Sequence, residues 1–161
     1  MKIGVISDTH IPVKCEHIPE AILQAFKDVD MIVHAGDMID LIAIEELRRV
    51  CPNVVAVAGN MDPENIVNKF PAKKIFDVLG FKIGLMHGYG APTDLIKVLK
   101  EAFKQDRPNI IIFGHSHKAM NEIIDGVLFF NPGSATDHLS GATTYGILDI
   151  NKDIDAKIIK I

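Results

Sequence analysis

A chain of 161 residues, 48% hydrophobic and 24% charged, has the composition of one compact domain able to bury a core, not of a disordered chain. Its formal net charge of -4 speaks against the broad basic surface on which long nucleic acid is held through its phosphates. Two cysteines, Cys15 and Cys51, form no CxxC pair, which excludes a zinc ribbon or thioredoxin-type motif and points to a reducing, cytoplasmic setting.

The opening stretch MKIGVISDTH reaches an acid after too few apolar residues for a signal-peptide core. No apolar run is long enough to span a bilayer. Lys2 to Ser7 is short and β-branched, the pattern of a buried strand. Pro19 opens a helix that runs to about Lys27. Met31 to Ala35 reads as a second strand, Leu41 to Val50 as an amphipathic helix stopped before Pro52, and Val54 to Ala58 as a third strand. This βαβαβ order implies a parallel sheet with right-handed crossovers.

The second half changes character. Lys73 to Leu79 and Phe81 to Met86 suit a hairpin across Gly80. A helix is expected over Asp94 to Gln105, then a strand from Asn109 to Phe113. Only strand-like pieces follow, at Asn121 to Asp125, Val127 to Phe130, Thr144 to Ile150 and Ala156 to Ile161. Two sheets packed face to face, with helices outside, accommodate this switch from crossover to meander.

Chemistry collects where the strands end. Asp8-Thr9-His10 follows the first strand, Gly36-Asp37 the second and Gly59-Asn60-Met61-Asp62 the third. His87-Gly88, Gly114-His115-Ser116-His117 and Asn131-Pro132-Gly133-Ser134 follow later strands. Parallel strands bring their carboxyl ends to one edge, where α/β sheets bind ligands. In extended chain the pairs Asp8/His10 and His115/His117 would each aim at one point. The sum is two carboxylates, four imidazoles and one amide oxygen, a mixture that suits manganese, iron, zinc, cobalt or nickel and is too rich in histidine for a magnesium or calcium cage. Seven donors exceed a tetrahedral site and match two ions roughly 3.5–4 Å apart with one shared carboxylate. Such a centre stays positive inside an acidic protein and attracts phosphate.

In this order the motifs DTH, GD, GN, HG and GHSH resemble those of the calcineurin-like metallophosphoesterases. The short length, the lack of insertions and the NPGS at Asn131 to Ser134 look most like the small YfcE-like phosphodiesterases, whose fold the retromer subunit shares. The resemblance runs from Met1 to about Ile150. It implies a four-layer α/β/β/α sandwich with two mixed sheets. It also implies one ion held by Asp8, His10, Asp37 and His117, and a second by Asp37, Asn60, His87 and His115, with manganese the first choice. Asp37, Asn60, His87 and His115 would carry the reaction, with Asn60 and Tyr89 meeting the substrate. A hydroxide bridging the ions would attack the phosphorus of a small phosphodiester in line. Met61 stands where many members have a histidine that helps the leaving group, and Tyr89 where many have another.

Blander readings exist for single residues. Asp8 suits a turn, Asp37 a helix cap, and Asp62 an N-cap ahead of Pro63. Five such coincidences at strand ends are needed to explain the whole set. His34 falls out of phase with Asp37 and reads as a satisfied core histidine. His17 and His138 lie in loops, His138 close enough to NPGS to border the pocket. Neither GxSxG nor GxGxxG nor a P-loop is completed. Lys97, Lys100 and Lys104 form a solvated helix face. Two other readings remain: an interaction module of the retromer-subunit type, and a nuclease acting on long DNA, which the acidity and the lack of an extra nucleic-acid domain disfavour. A homo-oligomer is left open.

Overall fold

The computed structural model describes residues 1–137 and 142–161. The first sheet has the order β10-β9-β1-β2-β3, built from β1 (Lys2–Ile6), β2 (Met31–His34), β3 (Val54–Ala56), β9 (Thr144–Ile150) and β10 (Ile154–Lys160). The second runs β4-β5-β6-β8-β7, from β4 (Lys73–Val78), β5 (Phe81–Met86), β6 (Ile110–Ile112), β7 (Met120–Ile124) and β8 (Val127–Asn131). In the first sheet β1, β2 and β3 are parallel; in the second β5, β6 and β8 are. Antiparallel strands flank each parallel core, so both sheets are mixed.

The central strands are apolar on both faces because both faces are covered. Ile3 and Val5 of β1 meet Ile83, Leu85, Ile110 and Ile112 between the sheets, while Ile6 turns the other way. There it joins α1 (Glu20–Ala25) and α2 (Leu41–Val50) through Ile22, Ile44 and Leu47. On the far side α4 (Leu95–Ala102) packs Leu95, Leu99 and the following Phe103 on Ile111, Phe113 and Phe129. Helix, sheet, sheet, helix is the four-layer sandwich expected. Among the described residues no helix is long and apolar enough to cross a membrane.

The differences from expectation lie at element ends. The α1 helix stops at Ala25 and continues as a 3-10 turn, Phe26–Asp28. The β3 ladder ends at Ala56, although Val57 still donates to His34 and Ala58 to Pro71. Instead of one helix over Asp94 to Gln105, Pro92–Asp94 forms a 3-10 turn ahead of the eight residues of α4. Arg107, at φ +50°, then donates its N–H to Phe103 O and closes the turn that follows the helix. The last strand starts earlier than expected, at Ile154, because pairing with β9 sets its start, not its apolar content. The short α3 (Glu64–Val67) follows Pro63. The β4–β5 hairpin forms as expected, with Leu79 and Gly80 both at positive φ (+48° and +87°), the backbone of a type I′ turn.

Candidate metal centre

Five of the seven expected donors have left-handed backbone: Asp8 (φ +52°), His10 (+45°), Asp37 (+57°), His115 (+69°) and His117 (+56°). This corrects the extended geometry expected for the two i, i+2 pairs. Just past the strand ends the chain reverses, and a left-handed residue swings its side chain off the strand axis. Such conformations cost on the order of 1 kcal/mol or more each and persist where the surroundings impose them. Here backbone bonds do so: Asp8 N–H donates to Gly36 O, His10 N–H to Asp37 O and Ala135 N–H to Ser7 O.

The result is a buried cluster. Asp8 Oδ1 lies 3.3 Å from His117 Nε2, 3.8 Å from His87 Nε2 and 4.0 Å from His10 Nε2. Asp37 Oδ2 lies 3.2 Å from His87 Nε2 and 3.8 Å from His10 Nε2. Asp8, His10 and His117 form one group able to hold an ion; Asp8, Asp37 and His87 form another. Asn60 and His115 do not join either group. Asn60 Oδ1 sits 2.9 Å from His115 Nδ1, and His115 Nε2 is 2.8 Å from Gly90 O. The His115 ring nonetheless packs edge-on to His87, with centroids 5.4 Å apart.

Each carboxylate is held by one oxygen and presents the other. Asp8 Oδ2 accepts from Ser7 Oγ (2.6 Å) and His115 N–H (3.2 Å); Asp37 Oδ1 accepts from Met61 N–H (2.8 Å). The histidines follow the same plan. His87 Nδ1–H donates to Ala35 O at 2.7 Å, which turns the lone pair of Nε2 inward. His117 Nδ1 does likewise against Asp137 Oδ2 at 2.7 Å. Asp8 Oδ1 and His87 Nε2 are the buried atoms that end without any hydrogen-bond partner among the described residues. An orphaned carboxylate oxygen facing an orphaned imidazole nitrogen is costly unless a cation sits between them. The donor set therefore fits divalent metal. Glycine keeps the space open: a Cβ on Gly59 would lie 2.1 Å from Asp37 Oδ1, and one on Gly114 2.0 Å from Ser7 Oγ.

Charge is balanced tightly. Burial lowers His10 below the ordinary imidazole range, against the pull of Asp37 and Asp8. Burial acts the same way on His87, but Asp37 and Asp8 outweigh it and leave that pKa raised. His117 rises to about 9, through its contact with Asp8 first, and with Asp137 against the opposing effect of burial. Burial raises Asp37, and the facing His87 overcomes it, so the net shift is downward. The site thus favours positive charge between its carboxylates.

Other residues resolve simply. His34 is fully buried, accepts from Gly36 N–H at Nδ1 and pairs Nε2 with Thr9 Oγ1, both at 3.1 Å, so it is the core histidine expected. Asp62 does not cap α3, whose N-cap is Pro63 and has no side-chain bond. Its carboxylate instead accepts three backbone N–H groups, from Asp37 (3.0 Å), Ile39 (2.7 Å) and Gly59 (2.7 Å), and so ties the Asp37 loop to the Asn60 loop. Asp37 is not a helix cap either, because Asp40 caps α2. His17 Nδ1 bonds Glu46 from a largely exposed ring. Tyr89 is exposed, beside the Gly90 carbonyl that His115 meets. His138 lies outside the described residues. The sequence reading missed Asp137 and Ser7: one lies well past β8 and the other directly follows β1, and no spacing signal marks either.

Residues 1–153 match the calcineurin-like phosphoesterase superfamily domain. The chain belongs to that superfamily. A Methanothermobacter thermautotrophicus protein described as a probable metallophosphoesterase is 35% identical over 99% of this chain and 92% of its own. A phosphodiesterase of Methanocaldococcus jannaschii is 33% identical over 94% of this chain and 95% of its own. Among solved structures, Vps29 of Chaetomium thermophilum superposes with a TM-score of 0.82 at 20% identity, covering 99% of this chain and 96% of that one, a likeness of fold.

Proposed function

We propose that this calcineurin-like phosphoesterase is a phosphodiesterase that uses two divalent ions, manganese foremost, to hydrolyse small phosphodiesters in the cytoplasm. The observation that carries it is the facing pair of orphaned buried atoms, Asp8 Oδ1 and His87 Nε2, 3.8 Å apart. In this reading Asp8, His10, Asp37 and His117 would hold one ion and Asp37, Asn60, His87 and His115 the other, with Asn60 and His115 exchanging their contact with each other for the ion. Ions held there supply Lewis-acid charge for a phosphoryl group and lower the pKa of water towards about 7.

The remaining work falls to side chains. His87, fixed by the Ala35 carbonyl, and His117, fixed by Asp137, keep their Nε2 atoms aimed at the cluster. Asn60, which meets His115, and Tyr89 are both exposed and are the candidates to contact substrate oxygens. Met61, 58% exposed, has no proton to give a leaving group. Asp62 cannot replace it, since its carboxylate is committed to three backbone N–H groups. Diesters with acidic leaving groups, such as aryl esters, are therefore the favoured substrates, and strongly basic alkoxides leave slowly. The name carried by the M. jannaschii relative supports the diester preference.

The test is Asp37→Asn, assayed on an aryl phosphodiester with metal content measured in parallel. Hydrolysis should fall on the order of 10²-fold or more, with loss of bound metal. Retention of both would remove the proposal and favour a docking role of the kind a sorting protein such as Vps29 suggests.

A further inference from the structure

We infer that Asp137 is the positioning residue of this centre: its carboxylate fixes the His117 imidazole, and with it the ion site formed by Asp8, His10 and His117. The inference rests on the metal reading above and adds a residue to it. His117 Nδ1 lies 2.7 Å from Asp137 Oδ2, and on the other side of the ring Nε2 lies 3.3 Å from Asp8 Oδ1 and 3.3 Å from His10 Nε2. The ring is thus gripped at one nitrogen so that the other meets the cluster. Among the described residues, His117 is the one site histidine whose Nδ1 faces a carboxylate; His87 has a backbone carbonyl there and His115 an amide.

The grip is built into the scaffold. Asp137 N–H donates to Ser134 Oγ at 3.0 Å, and that hydroxyl donates to Asp8 O at 2.9 Å. Thr136 Oγ1 donates to Thr9 O at 2.9 Å. The turn that carries Asp137 is therefore laced to the loop that carries Asp8 and His10, the two residues that complete the ion site with His117. Both side chains are largely covered, at 13% exposure for Asp137 and 23% for His117, so water competes little for the bond. A carboxylate on Nδ1 selects the tautomer with its lone pair on Nε2, restricts ring rotation and makes the nitrogen a stronger donor. Groups in this role are worth about 10- to 100-fold in metal affinity.

The experiment is a Co²⁺ titration of metal-free protein, followed by calorimetry and by the visible absorption of the bound ion. Wild type, Asp137→Ala, Asp137→Asn, His117→Ala and the Asp137→Ala/His117→Ala double variant are compared. In Asp137→Ala one class of site should weaken about 10- to 100-fold with an altered absorption band while the other class is unmoved. Asp137→Asn, whose amide oxygen still accepts from Nδ1, should fall between that variant and wild type. In the His117→Ala background, removal of Asp137 should change nothing further. Unaltered titration in Asp137→Ala and Asp137→Asn overturns the positioning role alone. An equal loss with and without His117 overturns it in favour of a general structural role. Failure of the wild type to take up Co²⁺ overturns the metal reading itself.

Discussion

His34 shows how a single buried group ties stability to pH. Burial holds its pKa at about 4, against 6.5 for the free imidazole, so the folded chain keeps it neutral where the unfolded chain protonates it. The sign follows from the linkage: the unfolded state binds more protons between those values, so stability is complete above about pH 6.5 and falls as pH drops towards 4. Integrated over the window the loss is about 3 kcal/mol. Urea unfolding between pH 4 and 7 should show this slope, and His34→Gln should flatten it. Equal slopes in the two proteins would assign the pH dependence elsewhere. Asp62 works at the same scale by a different means. Asp62→Ala leaves the N–H groups of Asp37, Ile39 and Gly59 without their acceptor, and each such loss costs on the order of 1–3 kcal/mol where water cannot enter. The variant should unfold at distinctly lower urea and bind metal poorly, because the same bonds hold the Asp37 loop.

At the scale of elements, the site is made by what happens in the one to five residues after β1, β2, β5 and β6. The strands supply direction and the left-handed residues supply aim. Close approach of these loops leaves no room for side chains at their glycines. Gly114→Ala would place a methyl 2.0 Å from Ser7 Oγ and 2.7 Å from Asp8 Oδ2, so the β1 and β6 loops must part. Overpacking of this kind costs about 1–3 kcal/mol, and the displaced Asp8 should lose metal. Elemental analysis and an unfolding midpoint measured on one preparation check both halves. A variant with full metal content would show that the loops yield without moving Asp8.

For the whole molecule, two sheets each bring a parallel core to the same edge, and the centre lies across both. Asp8, His10 and Asp37 come from the first sheet, and His87 and His117 from the second. Metal bound there cross-links the sheets and must stabilise the fold by linkage. At a free Mn²⁺ concentration 100 times its dissociation constant the gain is about 2.7 kcal/mol. For a chain of this size that amounts to roughly 5–10 °C in unfolding midpoint. Thermal scans with excess EDTA and with Mn²⁺ should differ by that order. Coincident midpoints would mean the donors hold no ion.

Much of this was legible in the order of residues alone. Alternating short apolar runs and amphipathic stretches specify crossovers and a meander, because burial on two faces demands runs like Ile110 to Ile112 and burial on one demands a stripe like that of α2. The gathering of Asp8, His10, Asp37, His87 and His117 was legible too, since carboxylates and imidazoles placed after strands have few other uses, whereas the pairing of Asn60 with His115 was not. Tertiary structure decided the rest. The left-handed turn at Asp8 and His10, the bonds from Asp37 and Ile39 to Asp62 and the bond from Asp137 to His117 all depend on partners 20 or more residues away. A local pattern records what a residue prefers beside its neighbours in the chain. It carries no record of which distant loop will supply its hydrogen bonds once two sheets have closed on each other.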